Sequence, residues 1–275
     1  MDKRIVDMPK VVLHLHLDGS LRPETVKEEL EKILGREIDL EEVKKQLMVD
    51  KDCRDLNQYL AKFDMPVKVL QTKAQIERAV FEFYEDLAKQ NVVWAEARFA
   101  PSLHTLKGLS YNEIVEAAII GLNKAKAQYG IDGNLILCCM RGEGEDNRAK
   151  NIETVKVAKR YLGQGVGALD LAGAEALFAT ENFEEMFRAA RRNEIPFTIH
   201  AGEADGPESI RKALEFGTKR VGHGVRCIED KELMQQLREE GIVLEVCPIS
   251  NMQTQAVEGK HPIEDIYRSR NKNNN

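Results

Sequence analysis

Of the six histidines in the chain, four fall in three short contexts: HLHLDGS (14–20), TIHAGE (198–203) and VGHGVR (221–226). A neutral imidazole is the commonest side-chain ligand for a transition metal. Residues i and i+2 of an extended strand face the same way, so His14 and His16 turn both rings to one side. His200 ends the apolar run PFTIH, and His223 ends RVGH. Packing alone would scatter histidines along strands and helices. Here they gather at the C-terminal ends of strand candidates, where parallel α/β folds build their sites. Three imidazoles on one ion leave a position open for water, the arrangement of a catalytic zinc. Glu203 follows in a turn before a helix that Pro207 is expected to start. Its plainer role is a favourable charge near a helix N-terminus. A metal water, a histidine base and a carboxylic acid together point to metal-assisted hydrolysis.

The elements that must position these groups show in the hydrophobic pattern. Apolar runs at 11–17, 92–99, 134–140, 166–172, 196–201, 220–225 and 241–247 read as seven strands. Amphipathic stretches between them, such as 75–90, 111–128 and 182–193, read as helices. Several runs are almost continuously apolar, as parallel strands covered on both faces should be. The alternation implies a parallel α/β fold, and a closed (β/α)8 barrel needs one more strand than is counted. A long insert from about residue 24 to 72 follows the first strand. Within it Leu56, Tyr59, Leu60 and Phe63 of LNQYLAKF recur at i, i+3, i+4 and i+7, one apolar helix face. That face is either an ordinary core contact or a hydrophobic lid.

The bulk numbers bound the partners. The chain has 275 residues, 43% hydrophobic and 31% charged, enough for one large domain with a sizeable core. A net charge of −6 offers nothing to a phosphate backbone, so nucleic acid is not an expected partner. Five cysteines without a CxxC pair speak against a disulfide framework and for a reduced, cytoplasmic setting. No apolar run reaches the ~18 residues of a membrane span. The oligomeric state is left open.

The motifs HLHLDGS, DLAGAE, HAGE, VGHGVR and CPISN occur in this order, with LNQYLAKFDMP and EARFAPSLH among them. Together they resemble the adenosine deaminases of the amidohydrolase superfamily, from about residue 8 to 267. The resemblance implies a (β/α)8 TIM barrel with a helical insertion after the first strand. It implies hydrolytic deamination of adenosine, and of 2′-deoxyadenosine, to inosine and ammonia, with one Zn2+ per chain. His14, His16 and His200 match the zinc ligands, His16 also facing the substrate. Glu203 matches the acid that protonates purine N1, and His223 the base that orients and deprotonates the water. Asp18 matches the residue that hydrogen-bonds the ribose, and Gly173 the backbone amide that meets purine N3. Leu56, Tyr59, Leu60 and Phe63 match the hydrophobic gate. The alternatives are a deaminase of adenine or another aminopurine, and a non-catalytic fragment.

The family pattern also has an eighth strand ending in paired aspartates after the HPI segment, one a zinc ligand. Asp265 in HPIEDIY falls too early to take that role. The expectation is therefore an incomplete barrel over 1–267, a zinc site without its carboxylate, and strongly reduced turnover. The stretch IYRSRNKNNN (266–275) is expected to be a disordered polar tail, of which residues 268–275 fall outside the family pattern. The tail RSRNKNNN has an encoding that, shifted by one base, reads EAGIKITI, a helix end followed by a strand, as a frameshift would produce.

Overall fold

The computed structural model describes residues 3–270. Seven strands are seen there: β1 (Lys10–His16), β2 (Val92–Phe99), β3 (Asp132–Met140), β4 (Val166–Ala172), β5 (Ile199–Ala201), β6 (Arg220–His223) and β7 (Val243–Glu245). The chain divides into two compact units. The first comprises residues up to Val49, Lys62–Cys138 and Lys156–Ala168; the second comprises Asp50–Ala61, Cys139–Val155 and the chain from Leu169 onward.

In the first unit β1 pairs in parallel with β2, and β2 with β3. The crossovers are helical, as parallel pairing requires. The Lys73–Ala88 helix starts where Thr72 accepts from the Gln75 N–H. The Tyr111–Tyr129 helix opens on a Ser110–Glu113 capping box and stops at Gly130, whose φ of 70° suits glycine. These two helices pack on each other. Tyr84 carries the first helix onto the sheet: its buried hydroxyl lies 3.1 Å from Ala95 O and 3.0 Å from Asn134 O. Tyr84→Phe removes the donor those carbonyls share. We expect it to lower unfolding free energy by about 1–2 kcal/mol, read as a lower denaturant midpoint at unchanged slope.

In the second unit the ends of β3 and β4 stay joined through Arg141 N–H and Ala172 O at 2.8 Å. Leu169 bridges in parallel to Phe197. β5, β6 and β7 then pair in parallel in that order. Three strands are shorter than their apolar runs, RVGHGV among them, which pairs over Arg220–His223 before Gly224 turns the chain. PFTIHA pairs regularly only over Ile199–Ala201, because Pro196 has no N–H to give to a ladder. GIVLEVC pairs over Val243–Glu245, and Pro248 then opens the Pro248–Gln253 helix.

The insert after β1 is largely helical: Pro23–Leu34, Leu40–Leu47, Leu56–Leu60 and Asp64–Val69. The single helix read into LNQYLAKF is instead a short α-helix over Leu56–Leu60 followed by a 3-10 turn over Ala61–Phe63. The tail expected to be disordered is helical through Arg270, within the Ile263–Arg270 helix that buries Ile266. Asp265 lies in that helix, and residues 271–275 lie outside the described residues. No disulfide joins the cysteines. Among the described residues, no helix is long and apolar enough to cross a membrane.

Candidate active site

The end of β1 carries the first group of residues. The β1–β2 register slips between Val12 and Leu15, so the irregularity falls on Leu13 and His14. Arg98 of β2, fully buried, donates Nη2–H to Leu13 O at 2.7 Å, and Leu17 N–H donates to Arg98 O at 2.8 Å. The backbone is therefore pinned on both sides of the two histidines. Their half-buried rings lie 5.6 Å apart edge to face, the common side that i, i+2 spacing requires. Phe63 packs edge-on against His16 at 5.9 Å. It comes that close because Gly19 has no side chain: a Cβ there would sit 3.0 Å from the Phe63 ring. Asp18 is buried, and its Oδ1 has no protein hydrogen-bond partner. Burial pushes its carboxyl up to about 7, against backbone N–H bonds from Asp18 and Gly19. A buried acid of this kind suits a hydroxyl-bearing ligand.

The second unit brings His200, His223 and Glu203 together. The His200 and His223 rings lie 5.2 Å apart. His200 Nδ1 meets both oxygens of Asp170, at 3.1 and 2.9 Å, and Asp170 is fully inaccessible to solvent. A carboxylate on Nδ1 holds that proton and directs the Nε2 lone pair outward, the usual support of a metal-bound histidine. An imidazole nitrogen held in this way suits a borderline divalent ion such as zinc. His223 ends β6 with φ of 60°, unusual for a side chain larger than glycine and common where function holds strain. Its Nε2 lies 3.4 Å from Glu203 Oε2. Its Nδ1 lies 2.9 Å from the side-chain amide of the buried Asn251. Asn251 Nδ2–H donates to that nitrogen, and Asn251 Oδ1 lies 3.4 Å from His261 Nε2, so the neutral His223 ring carries its proton on Nε2.

Glu203 sits in the turn between β5 and the Pro207–Glu215 helix, where Pro207 was expected to begin that helix. It is 4% exposed, and burial drives its carboxyl from 4.5 up to about 7. Attraction to His200 opposes the rise and the nearby Glu175 charge adds to it. Thr254 Oγ1 lies 3.3 Å and Ser250 Oγ 3.5 Å from Glu203 Oε1. Ser250 also bonds the Tyr59 hydroxyl, whose pKa burial raises. The Leu56–Leu60 helix is thereby tied to the acid. Leu56 and Glu203 line one cavity of about 590 Å³, within the range of small-ligand sites. Leu56 is buried, and Tyr59 and Leu60 are half-buried in the same unit. Phe63 belongs to the other unit, on His16. Gly173 follows β4 with φ of 111°, and a Cβ there would press on Arg141 N and Cβ at 3.4 Å. The position therefore requires glycine.

Sequence reasoning assigned no role to Asp170, Glu175, Asn251, Ser250, Thr254 or Arg141. The signal for the first two was present. DLAGAE places acids beside an apolar run, and a buried acid must have partners.

The chain was compared with known proteins. A model of the family described as Adenosine deaminase matches residues 9–272. An adenosine deaminase of Haemophilus ducreyi is 46% identical over 254 residues, 89% of this chain and 72% of the relative. Adenine deaminase of Arthrobacter aurescens superposes with a TM-score of 0.82 at 28% identity, over 94% of this chain and 79% of that one. An amidohydrolase from Burkholderia ambifaria with bound Zn shares the fold, with a TM-score of 0.85 at 24% identity, over 98% of this chain and 74% of that one. With this match across nearly its whole length, the chain belongs to the adenosine deaminase family.

Proposed function

We propose that this chain is a hydrolytic deaminase that converts adenosine, and 2′-deoxyadenosine, to inosine and ammonia. The observation that carries the reading is Glu203: a buried carboxyl held near 7, against His223, in the wall of a ligand-sized cavity. Water attack at C6 of the purine places charge on N1, and only a protonated acid neutralises it there. Glu203 gives that proton to N1, and His223 takes one from the attacking water and passes it to the amino group as the C6–N bond breaks and ammonia leaves; the C6 hydroxyl proton then returns to Glu203. His14, His16 and His200 would hold one Zn2+, with Asp170 orienting His200. Zinc in such a site supplies a water whose pKa is lowered toward about 7. Asp18 meets a ribose hydroxyl, and the Gly173 backbone amide meets N3. Leu56, Tyr59, Leu60 and Phe63 close over the base. The fold inferred for the chain is the (β/α)8 barrel that the family resemblance implies, and its setting is the cytoplasm.

A second reading, deamination of free adenine, has support from the similarity to the Arthrobacter adenine deaminase. The unpaired buried oxygen of Asp18 favours the nucleoside, because adenine has no hydroxyl to give it. The test follows ultraviolet absorbance of adenosine and adenine in parallel with zinc supplied. Loss of the adenosine band with ammonia release is expected. Conversion of adenine alone, or of neither, overturns the proposal.

A further inference from the structure

The loop that carries Glu203 is held by a carboxylate that no role yet covers. Glu175, 2% exposed, accepts from the backbone N–H of Gly202 at 2.7 Å through Oε1. Its Oε2 accepts from Glu203 N–H at 3.0 Å, Ala204 N–H at 2.7 Å and Asp205 N–H at 3.1 Å. Ser209 Oγ–H donates to Oε1 at 2.6 Å. Four consecutive amides thus converge on one side chain. A carboxylate has about four lone-pair sites and no proton to place against an N–H. An amide in its place would turn N–H groups on N–H groups.

The frame continues inward in one direction of donation. Thr180 Oγ1 lies 2.8 Å from Ser209 Oγ, and because Ser209 gives its proton to Glu175, Thr180 is the donor. Thr180 in turn accepts from Arg141 Nη2 at 2.9 Å. Arg141 donates to His200 O at 2.6 Å and to Phe178 O at 2.6 Å. Thr180, Ser209 and Arg141 are all buried. One connected set of hydrogen bonds therefore fixes the backbone on both sides of the HAGE segment, at His200 and at Glu203.

We propose that Glu175 is a positioning residue for the deamination: its carboxylate clamps the Gly202–Asp205 backbone so that Glu203 is held where purine N1 arrives. This rests on the deaminase reading. Glu175 touches no reacting atom, so its removal acts through placement of the acid. A misplacement of about 1 Å costs about 100-fold in rate. Substrate contacts made by Asp18 and Gly173 stay in place, so KM moves little.

The test is Glu175→Gln, with kcat and KM for adenosine, circular dichroism, and amide hydrogen exchange across residues 202–205. We expect retained secondary structure, kcat lower by about 100-fold and KM within about threefold. Exchange at 202–205 should rise by about tenfold or more. If Glu175→Gln does not fold, Ser209→Ala carries the test, since it removes one donor to Oε1. There kcat should fall by about fivefold at unchanged KM, with faster exchange at Gly202. Exchange left as in the unsubstituted chain overturns the clamp. So does a loss in kcat/KM that lies wholly in KM. If the unsubstituted chain does not deaminate adenosine, the deaminase reading fails, and the exchange result alone still decides whether Glu175 holds this loop.

Discussion

Glu203→Gln is expected to lower kcat for adenosine on the order of 10³-fold while KM stays within a fewfold, because the glutamine keeps the shape and hydrogen bonds of the acid but has no proton to transfer. Steady-state kinetics check this; a variant retaining a tenth of the activity would remove Glu203 from the acid role. The pH dependence has a definite sign. The acid must be protonated, and its carboxyl is pushed up to about 7. The acid limb of catalysis is therefore intact below neutrality, and kcat/KM falls as pH rises through about 7. Stability moves the other way on substitution. Between pH 4.5 and about 7 the folded metal-free chain holds a proton on Glu203 that the unfolded chain has lost. The ionised form is thus increasingly costly to the fold as pH climbs, reaching about 3 kcal/mol above pH 7. Glu203→Gln removes that cost, so the metal-free variant should melt higher than its parent at pH 8 and alike at pH 4.5. One substitution that abolishes turnover and raises Tm only at alkaline pH would be hard to obtain from a residue that merely packs.

Removing the metal should have an effect of similar size. Dialysis against a chelator is expected to abolish deamination, and about one equivalent of zinc per chain should restore it. Asp170→Asn gives the finer test. Asp170 holds Nδ1 of His200 at 2.9 and 3.1 Å within a fully buried setting. The asparagine can present an N–H to that nitrogen and reverse the tautomer, turning a protonated Nε2 toward the ion. Zinc affinity should drop by about 10- to 100-fold, measured by competition with a chromogenic chelator. Activity should recover at raised zinc concentration. Unchanged affinity would separate His200 from the metal, and a loss of activity without a loss of zinc would move Asp170 to another role.

Much of this site was legible residue by residue. VVWAEARF and VGALDLA became β2 and β4 over their full lengths, since mostly apolar runs that are largely buried have few other conformations available, even with Glu96, Arg98 and Asp170 buried among them. The strand ends PFTIHA and GIVLEVC were overread, because apolarity marks burial whether or not the backbone joins a ladder, and Pro196 and Pro248 interrupt pairing locally. LNQYLAKF was read at the wrong regularity. Its period suits one helix, yet Phe63 is carried by a 3-10 turn onto His16. The tail was judged by composition alone, and the burial of Ile266 holds its first residues in a helix.

The identities and order of the candidate groups belong to the sequence. Two imidazoles at i and i+2, a histidine three residues before a glutamate and a histidine between glycines are set by covalent spacing, which dictates local direction without help from the rest of the chain. Which proton each group carries was decided only by the tertiary structure. Asp170 orients His200, Asn251 addresses His223, and the walls around Glu203 keep its carboxyl near 7. Those partners lie far away in the chain, and a protonation state answers to desolvation and neighbouring charge, quantities that exist only once the chain has folded.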